Sequence, residues 1–164
     1  MDDPRPPAPE TAPATAHRPV RRARWTDLDP LTLHDLLRLR IDVFVVEQQC
    51  PYPELDGRDV EPGTEHVWLA DPGGPLAYLR VLAEDDPGES GVRRIGRVCT
   101  RADARGRGLA GVLVDDVLAG APGVTFVLDA QTYVASFYAA RGFAVCGPEF
   151  VEDGIPHVPM RRDP

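Results

Sequence analysis

Apolar residues recur along this chain with two periods, and the switches between them mark out the elements. Leu33, Leu36, Leu37, Ile41 and Phe44 recur every three to four residues, which places them on one face of a helix over residues 32–46. Thr32-x-x-Asp35 reads as its capping box. Residues 65–70 (EHVWLA), 76–83 (LAYLRVLA) and 94–100 (RIGRVCT) are short runs separated by turn sequences at 71–75 and 85–91, as expected of three strands in an antiparallel meander. Helical spacing returns at Leu109, Val112, Leu113 and Val117. Residues 124–128 (VTFVL) form an unbroken apolar run after a Gly-Ala-Pro-Gly turn, the pattern of a buried strand, parallel to 94–100. Residues 132–141 read as a short helix with Val134, Phe137 and Tyr138 inward and Gly142 as its stop. Residues 143–146 and 150–151 make a strand broken at Gly147-Pro148, and a hairpin turn at 152–155 leads into a last strand at 156–160. Residues 22–26 are a short first strand.

Residues 1–20 carry prolines at 4, 6, 7, 9, 13 and 19 and few large apolar residues. Such a segment buries too little surface to offset its ordering entropy, so a disordered tail is expected there. Residues 21–164 are then one domain, long enough for a sizeable core. The pattern is α/β (α+β).

Composition removes several function classes. No run of about 18 apolar residues is present, so no transmembrane helix is expected, and no secretory h-region is visible. Cys50, Cys99 and Cys146 are too few and too scattered for a disulfide framework or a zinc site, which points to reduced thiols in the cytoplasm and no metal. There is no Lys in the chain. A P-loop, a pyridoxal-phosphate enzyme and a protein kinase each need one. A formal charge of -8 argues against non-specific nucleic-acid binding. Residues 42–65 hold seven acids against Arg58 alone. They read either as a solvated surface or as an acidic mouth that attracts a cationic amine.

One stretch runs against this charge. Residues 93–107 hold six arginines and one acid, Asp103, and lead into the sequence RGRGLAG at 105–111. A strand, a glycine turn and a helix point free backbone N–H groups and the positive end of a helix dipole at an anion. Gly106 and Gly108 let a ligand approach the backbone, and Arg101, Arg105 and Arg107 suit phosphate oxygens. A pyrophosphate site is the first inference. Gly106-x-Gly108-x-x-Gly111 also matches a dinucleotide fingerprint. In that fold, however, the first glycine follows its strand directly and further βαβ units follow. Here five residues intervene and an antiparallel meander comes first.

The other register, Arg105-x-x-Gly108-x-Ala110, resembles the acyl-CoA loop of the GCN5-related N-acetyltransferase (GNAT) superfamily. Val98-x-Thr100 resembles its pantetheine-binding strand, and Phe137-Tyr138-Ala-Ala-Arg-Gly142-Phe143 its F-Y-x-x-x-G-F helix end. Residues 40–53 (RIDVFVVEQQCPYP), Asp56-Gly57, Ala130-Gln131 and residues 152–157 (EDGIPH) are similar to its ElaA-type branch. The resemblance spans about residues 24–160. One departure is Thr132, where the family often has Asn.

The resemblance implies a mixed, mostly antiparallel sheet, splayed between strands 94–100 and 124–128 and flanked by about four helices. It implies acetyl-CoA in the gap, held by Val98, Cys99, Thr100, Arg105, Gly106, Arg107, Gly108, Leu109, Ala110, Gln131 and Tyr138. It implies acetyl transfer to a small-molecule or peptide amine, with a non-catalytic acyl-CoA sensor as the alternative and a homodimer as a family habit. Tyr138 matches the family tyrosine near the sulfur and is the expected acid. The base stays open between His66 and His157, with Glu47 and Glu65 behind them. Cys50 is a distant candidate for an acyl-cysteine route, and Cys99 reads as core.

Overall fold

The computed structural model describes residues 18–86 and 89–164. Residues 1–17 of the expected tail therefore lie outside it. Arg18 to Val20 are described, and Val20 packs against the main core. Part of the expected turn at 85–91, residues 87 and 88, is likewise outside the described residues.

The sheet has eight strands: β1 (Arg21–Ala23), β2 (Glu65–Asp71), β3 (Gly74–Asp86), β4 (Glu89–Thr100), β5 (Phe126–Gln131), β6 (Ala144–Val145), β7 (Phe150–Glu152) and β8 (Ile155–Arg162). Their order is β1-β2-β3-β4-β5-β8-β6, with β7 also on β8. All neighbours are antiparallel except β4 and β5. Three α-helices, α1 (Pro30–Ile41), α2 (Leu109–Gly120) and α3 (Ala135–Ala139), complete the fold among the described residues. One sheet face carries Val67, Leu79, Val81, Phe126 and Leu128 against Leu113, Val114 and Val117 of α2. The other carries Trp68, Tyr78 and Cys99 against Leu36 and Leu39 of α1.

Two local expectations are corrected. Helix α1 is capped by Asp29, not by Thr32. The Asp29 carboxylate accepts from the N–H groups of Leu31 and Thr32, at 3.1 and 3.0 Å. Pro30 fits the first helical position because its missing N–H would have had no partner there. The helix also does not run on as α to residue 46. Residues Asp42–Glu47 form a π turn, in which Gln48 N–H bonds Val43 O and Cys50 N–H bonds Val45 O. The β-branched Val43, Val45 and Val46 fall in this region, where they crowd an α-helix.

Strand β4 carries a bulge. Tyr78 pairs with Cys99 and Arg80 with Gly96, so Arg97 and Val98 together face Leu79. Arg97 has φ +54°, uncommon for a residue with a side chain. A bulge bends its strand. Consistent with this, β4 pairs with β5 only through Arg93–Phe126 and Arg94–Val127. Beyond that point the two strands part.

Candidate active site

Where β4 and β5 diverge, a cleft of about 860 Å³ opens. Its walls bring together residues that are far apart in sequence: Val98, Cys99 and Thr100 of β4, Arg105 and Ala110 of the glycine turn, Gln131 at the end of β5, Tyr138 of α3 and His157 of β8. The π turn contributes Val43, Phe44 and Glu47, and the β7–β8 hairpin contributes Glu152 and Asp153. Gly106, Arg107, Gly108 and Leu109 lie on the turn between two of these wall residues.

The turn fits an anion. Gly106 and Gly108 have φ +74° and +72°, and a Cβ at either would meet nothing within 4 Å. The conformation requires glycine, and the space beside it is open. The first α bond of α2 runs from Val112 N–H to Gly108 O at 3.1 Å. Leu109, Ala110 and Gly111 therefore have no intrahelical acceptor, and no side chain caps this helix. Gly111 answers to packing instead: a methyl there would run into the Arg141 guanidinium. That guanidinium is held over the Phe137 ring and bonded to Asp115 and Phe137 O. The three glycines thus do two different jobs.

The arginines of the turn are engaged. Arg101 bonds Asp103 at 2.6 Å and Arg107 bonds Asp103 O at 2.9 Å. Arg105 reaches across the cleft to Glu47, with both terminal nitrogens on the carboxylate at 2.8 and 2.7 Å. Its Nε donates to Thr100 O at 3.1 Å.

The acid and base candidates separate clearly. Tyr138 is 7% exposed, with Phe137 and Phe143 edge-on to its ring. Burial pushes its phenol up to about 12, against a smaller opposing effect of the Arg141 charge. Among the described residues no partner hydrogen-bonds its hydroxyl. His157 donates from Nδ1 to Ile155 O at 2.8 Å. A carbonyl only accepts, so Nδ1 is the donor here, and in the neutral ring Nε2 is the nitrogen that has the lone pair. The ring stacks on Phe150.

His66 is placed elsewhere. It is 1% exposed and stands outside the cleft wall, between Asp59 O at 3.2 Å and the Tyr78 hydroxyl at 2.7 Å. Nε2 donates to the carbonyl, so Nδ1 accepts from Tyr78. Burial holds this imidazole below its ordinary pKa. Both nitrogens are committed, which leaves no lone pair for a substrate. Glu65 is also taken, by Arg22 and Arg93. Cys99 packs among Leu36, Leu39, Trp68 and Tyr78, and burial pushes its thiol up to about 12, far from a reactive thiolate. Cys50 is buried and turned to Asp153 O at 3.4 Å.

Residues 42–65 do not form a free acidic mouth. Glu54 bonds Arg40 at 2.5 Å and lies 2.8 Å from Arg97. Asp56 bonds Arg80 at 2.7 Å, and Asp59 bonds both Arg40 and Arg80, at 2.7 and 2.9 Å. Glu61 pairs with Arg58. These contacts fasten a loop rich in turn residues to α1, β3 and β4. Sequence reasoning missed them because every partner but Arg58 lies outside the acidic stretch.

A strand edge opened beside an N–H-lined glycine turn is the arrangement that a CoA-dependent acyltransferase needs for its donor. Comparison with known proteins carries this further. An acetyltransferase (GNAT) domain model matches residues 38–164. A UPF0039 protein of Mycobacterium tuberculosis is 49% identical over 143 residues, 87% of this chain and 92% of the relative. Protein ElaA of Escherichia coli is 37% identical over 144 residues, 84% and 92% of the two chains. The crystal structure of E. coli ElaA superposes with a TM-score of 0.81 over 89% of this chain and 99% of that one, at 33% identity. That of an acyl-CoA N-acyltransferase from Pseudomonas aeruginosa gives 0.80, covering 88% and 99% at 37% identity. The chain belongs to the GNAT acetyltransferase family, in its ElaA-type branch, and transfers an acyl group from CoA to an acceptor.

Proposed function

We propose that this protein transfers an acetyl group from acetyl-CoA to a primary amine of positive charge, by direct attack of the amine on the thioester. The observation that carries this reading is the parting of β4 and β5 beside the glycine turn. The N–H groups of residues 106–111 receive the pyrophosphate. The free edge of β4 at Val98 and Thr100 pairs with the extended arm as an added strand would, next to Cys99, and Gln131 flanks the arm from β5. His157 Nε2 takes the proton that the amine must lose. The nitrogen bonds the acyl carbon, the carbon–sulfur bond breaks with its electron pair on sulfur, and the Tyr138 hydroxyl donates to that sulfur.

The charge of the acceptor rests on the hairpin tip. Arg58, Arg80, Arg94, Arg97 and Arg105 in the cleft wall are each ion-paired. Glu152 and Asp153 line the same cleft and have no ion pair among the described residues. Two unpaired carboxylates at the entrance favour an ammonium.

Thermal unfolding with acetyl-CoA, CoA, NAD and ATP in separate wells tests the donor. At about 100 times its dissociation constant a true ligand adds roughly 2.7 kcal/mol. Acetyl-CoA and CoA are expected to raise the melting temperature, and NAD is not. A shift with NAD alone would sink the reading.

Gly108→Trp probes the turn. The indole fills the open space beside the N–H groups and is forced to positive φ, which costs about 1–2 kcal/mol. The shift with CoA is expected to vanish while the variant stays folded. A folded variant with its CoA shift intact would place the phosphates elsewhere.

A further inference from the structure

Glu47 has no assigned role in the reaction, yet its position is built. It is the last residue of the π turn. The extra residue in that turn rotates everything after it by about 100° relative to a continued α-helix. The rotated segment then touches three walls of the cleft. Glu47 takes Arg105 at 2.8 and 2.7 Å, the Gln48 and Gln131 amides meet at 3.4–3.5 Å, and Cys50 reaches Asp153 O.

The Arg105 contact lies on the donor side. The side chain folds back over β4, with Nε on Thr100 O at 3.1 Å. That carbonyl is on the strand edge where an extended arm pairs. The fork of the same guanidinium is spent on Glu47, although Arg105 is only one to six residues from the N–H groups that face an anion. The side chains of Arg105 and Glu47 are 43% and 47% exposed, so the pair is not needed to fill a core.

We propose that Glu47 holds Arg105 across the donor groove and competes with the donor's phosphates for it. The inference rests on the acyl-CoA reading above. A phosphate offers the guanidinium fork the same two-oxygen geometry with more charge. When Arg105 turns to it, Thr100 O is released to the arm, and the Glu47 carboxylate is left unpaired in the cleft that takes the acceptor. Donor binding thus clears its own groove and adds a negative charge to the acceptor site.

CoA titrated calorimetrically into four proteins tests the exchange: wild type, Glu47→Gln, Arg105→Gln and the double variant. Glu47→Gln is expected to tighten CoA by about two- to fivefold, the range of an exposed but well-formed pair. In the Arg105→Gln background the same change is expected to do nothing, because the competition is already gone. An unchanged or weakened affinity in Glu47→Gln overturns the proposal. So does a tightening of equal size in both backgrounds, which assigns the effect to general charge near the phosphates. Wild type that binds no CoA at all overturns the donor reading itself, a result distinct from either. Ligand-free melting temperatures within a few degrees confirm that the four proteins fold alike.

Discussion

Arg40→Ala is expected to destabilise the protein by about 3–5 kcal/mol, a large share of the roughly 5–15 kcal/mol that holds a domain together. Arg40 is fully buried. Its Nε bonds Glu54 Oε1 at 2.5 Å, one terminal nitrogen bonds Asp59 at 2.7 Å, and the other bonds Glu54 O at 3.2 Å. Its guanidinium also stands 5.5 Å from the centre of the Tyr78 ring. Truncation leaves Glu54 and Asp59, each 4% exposed, with too few donors. A net gain from the intact pair is not required for this result, since the loss comes from the carboxylates left behind. Urea unfolding at neutral pH measures it. A loss below about 1 kcal/mol would show that the remaining arginines, Arg80 and Arg97, satisfy the network alone.

The same network fixes the sign of the acid response. Burial alone would raise the Asp59 carboxyl, but the Arg40 hydrogen bond and charge, joined by Arg80, hold it below the usual carboxylate range. A carboxylate whose pKa is depressed on folding adds stability above its unfolded value near 4 and loses it as pH falls through the folded value. Wild type is therefore expected to lose stability below about pH 4. In Arg40→Ala the Asp59 carboxyl rises again, so the gap between the two proteins narrows as pH falls. A gap that stays constant from pH 7 to pH 3 would mean that Asp59 does not titrate with the network.

What the sequence showed and what it hid divide along a physical line. Features set by neighbours in the chain were legible. Alternation and turn residues placed the meander. The apolar run at 124–128 announced β5, and the glycine spacing announced a turn that the structure builds at positive φ. The parting of β4 and β5 followed from the resemblance alone, and the bulge at Arg97 that accompanies it has no local signal. Long-range ion pairs were not legible. Counting charges over 42–65 gave an acidic patch, because the guanidinium groups of Arg80, Arg97, Arg93 and Arg105 arrive from distant strands and turns. His66 and His157 looked equivalent. They differ because β2 is buried from His66 through Leu69, while β8 presents His157 half-buried at the cleft.

Tyr138→Phe is expected to lower kcat by about 10²-fold with donor affinity unchanged. The low end of the 10²–10⁴ range for a positioned acid is argued from the pKa gap. The phenol stands at about 12, whereas a simple thiol is near 8.5. Complete transfer from the raised Tyr138 phenol to a departing thiolate of ordinary basicity is uphill. The favoured role is a hydrogen bond that strengthens as charge grows on sulfur, in a site too buried for water to compete. Phe keeps the edge-on packing with Phe137 and Phe143 and removes only the hydroxyl, which has no other partner among the described residues. The variant should therefore melt within a few degrees of wild type and bind CoA equally well. The pH profile separates this from a true proton donor of ordinary pKa, because a phenol at about 12 gives wild type no falling limb below about pH 10. Turnover that is unchanged in Tyr138→Phe would remove the hydroxyl from the reaction. A drop in turnover matched by a drop in CoA affinity would make Tyr138 part of the donor groove and nothing more.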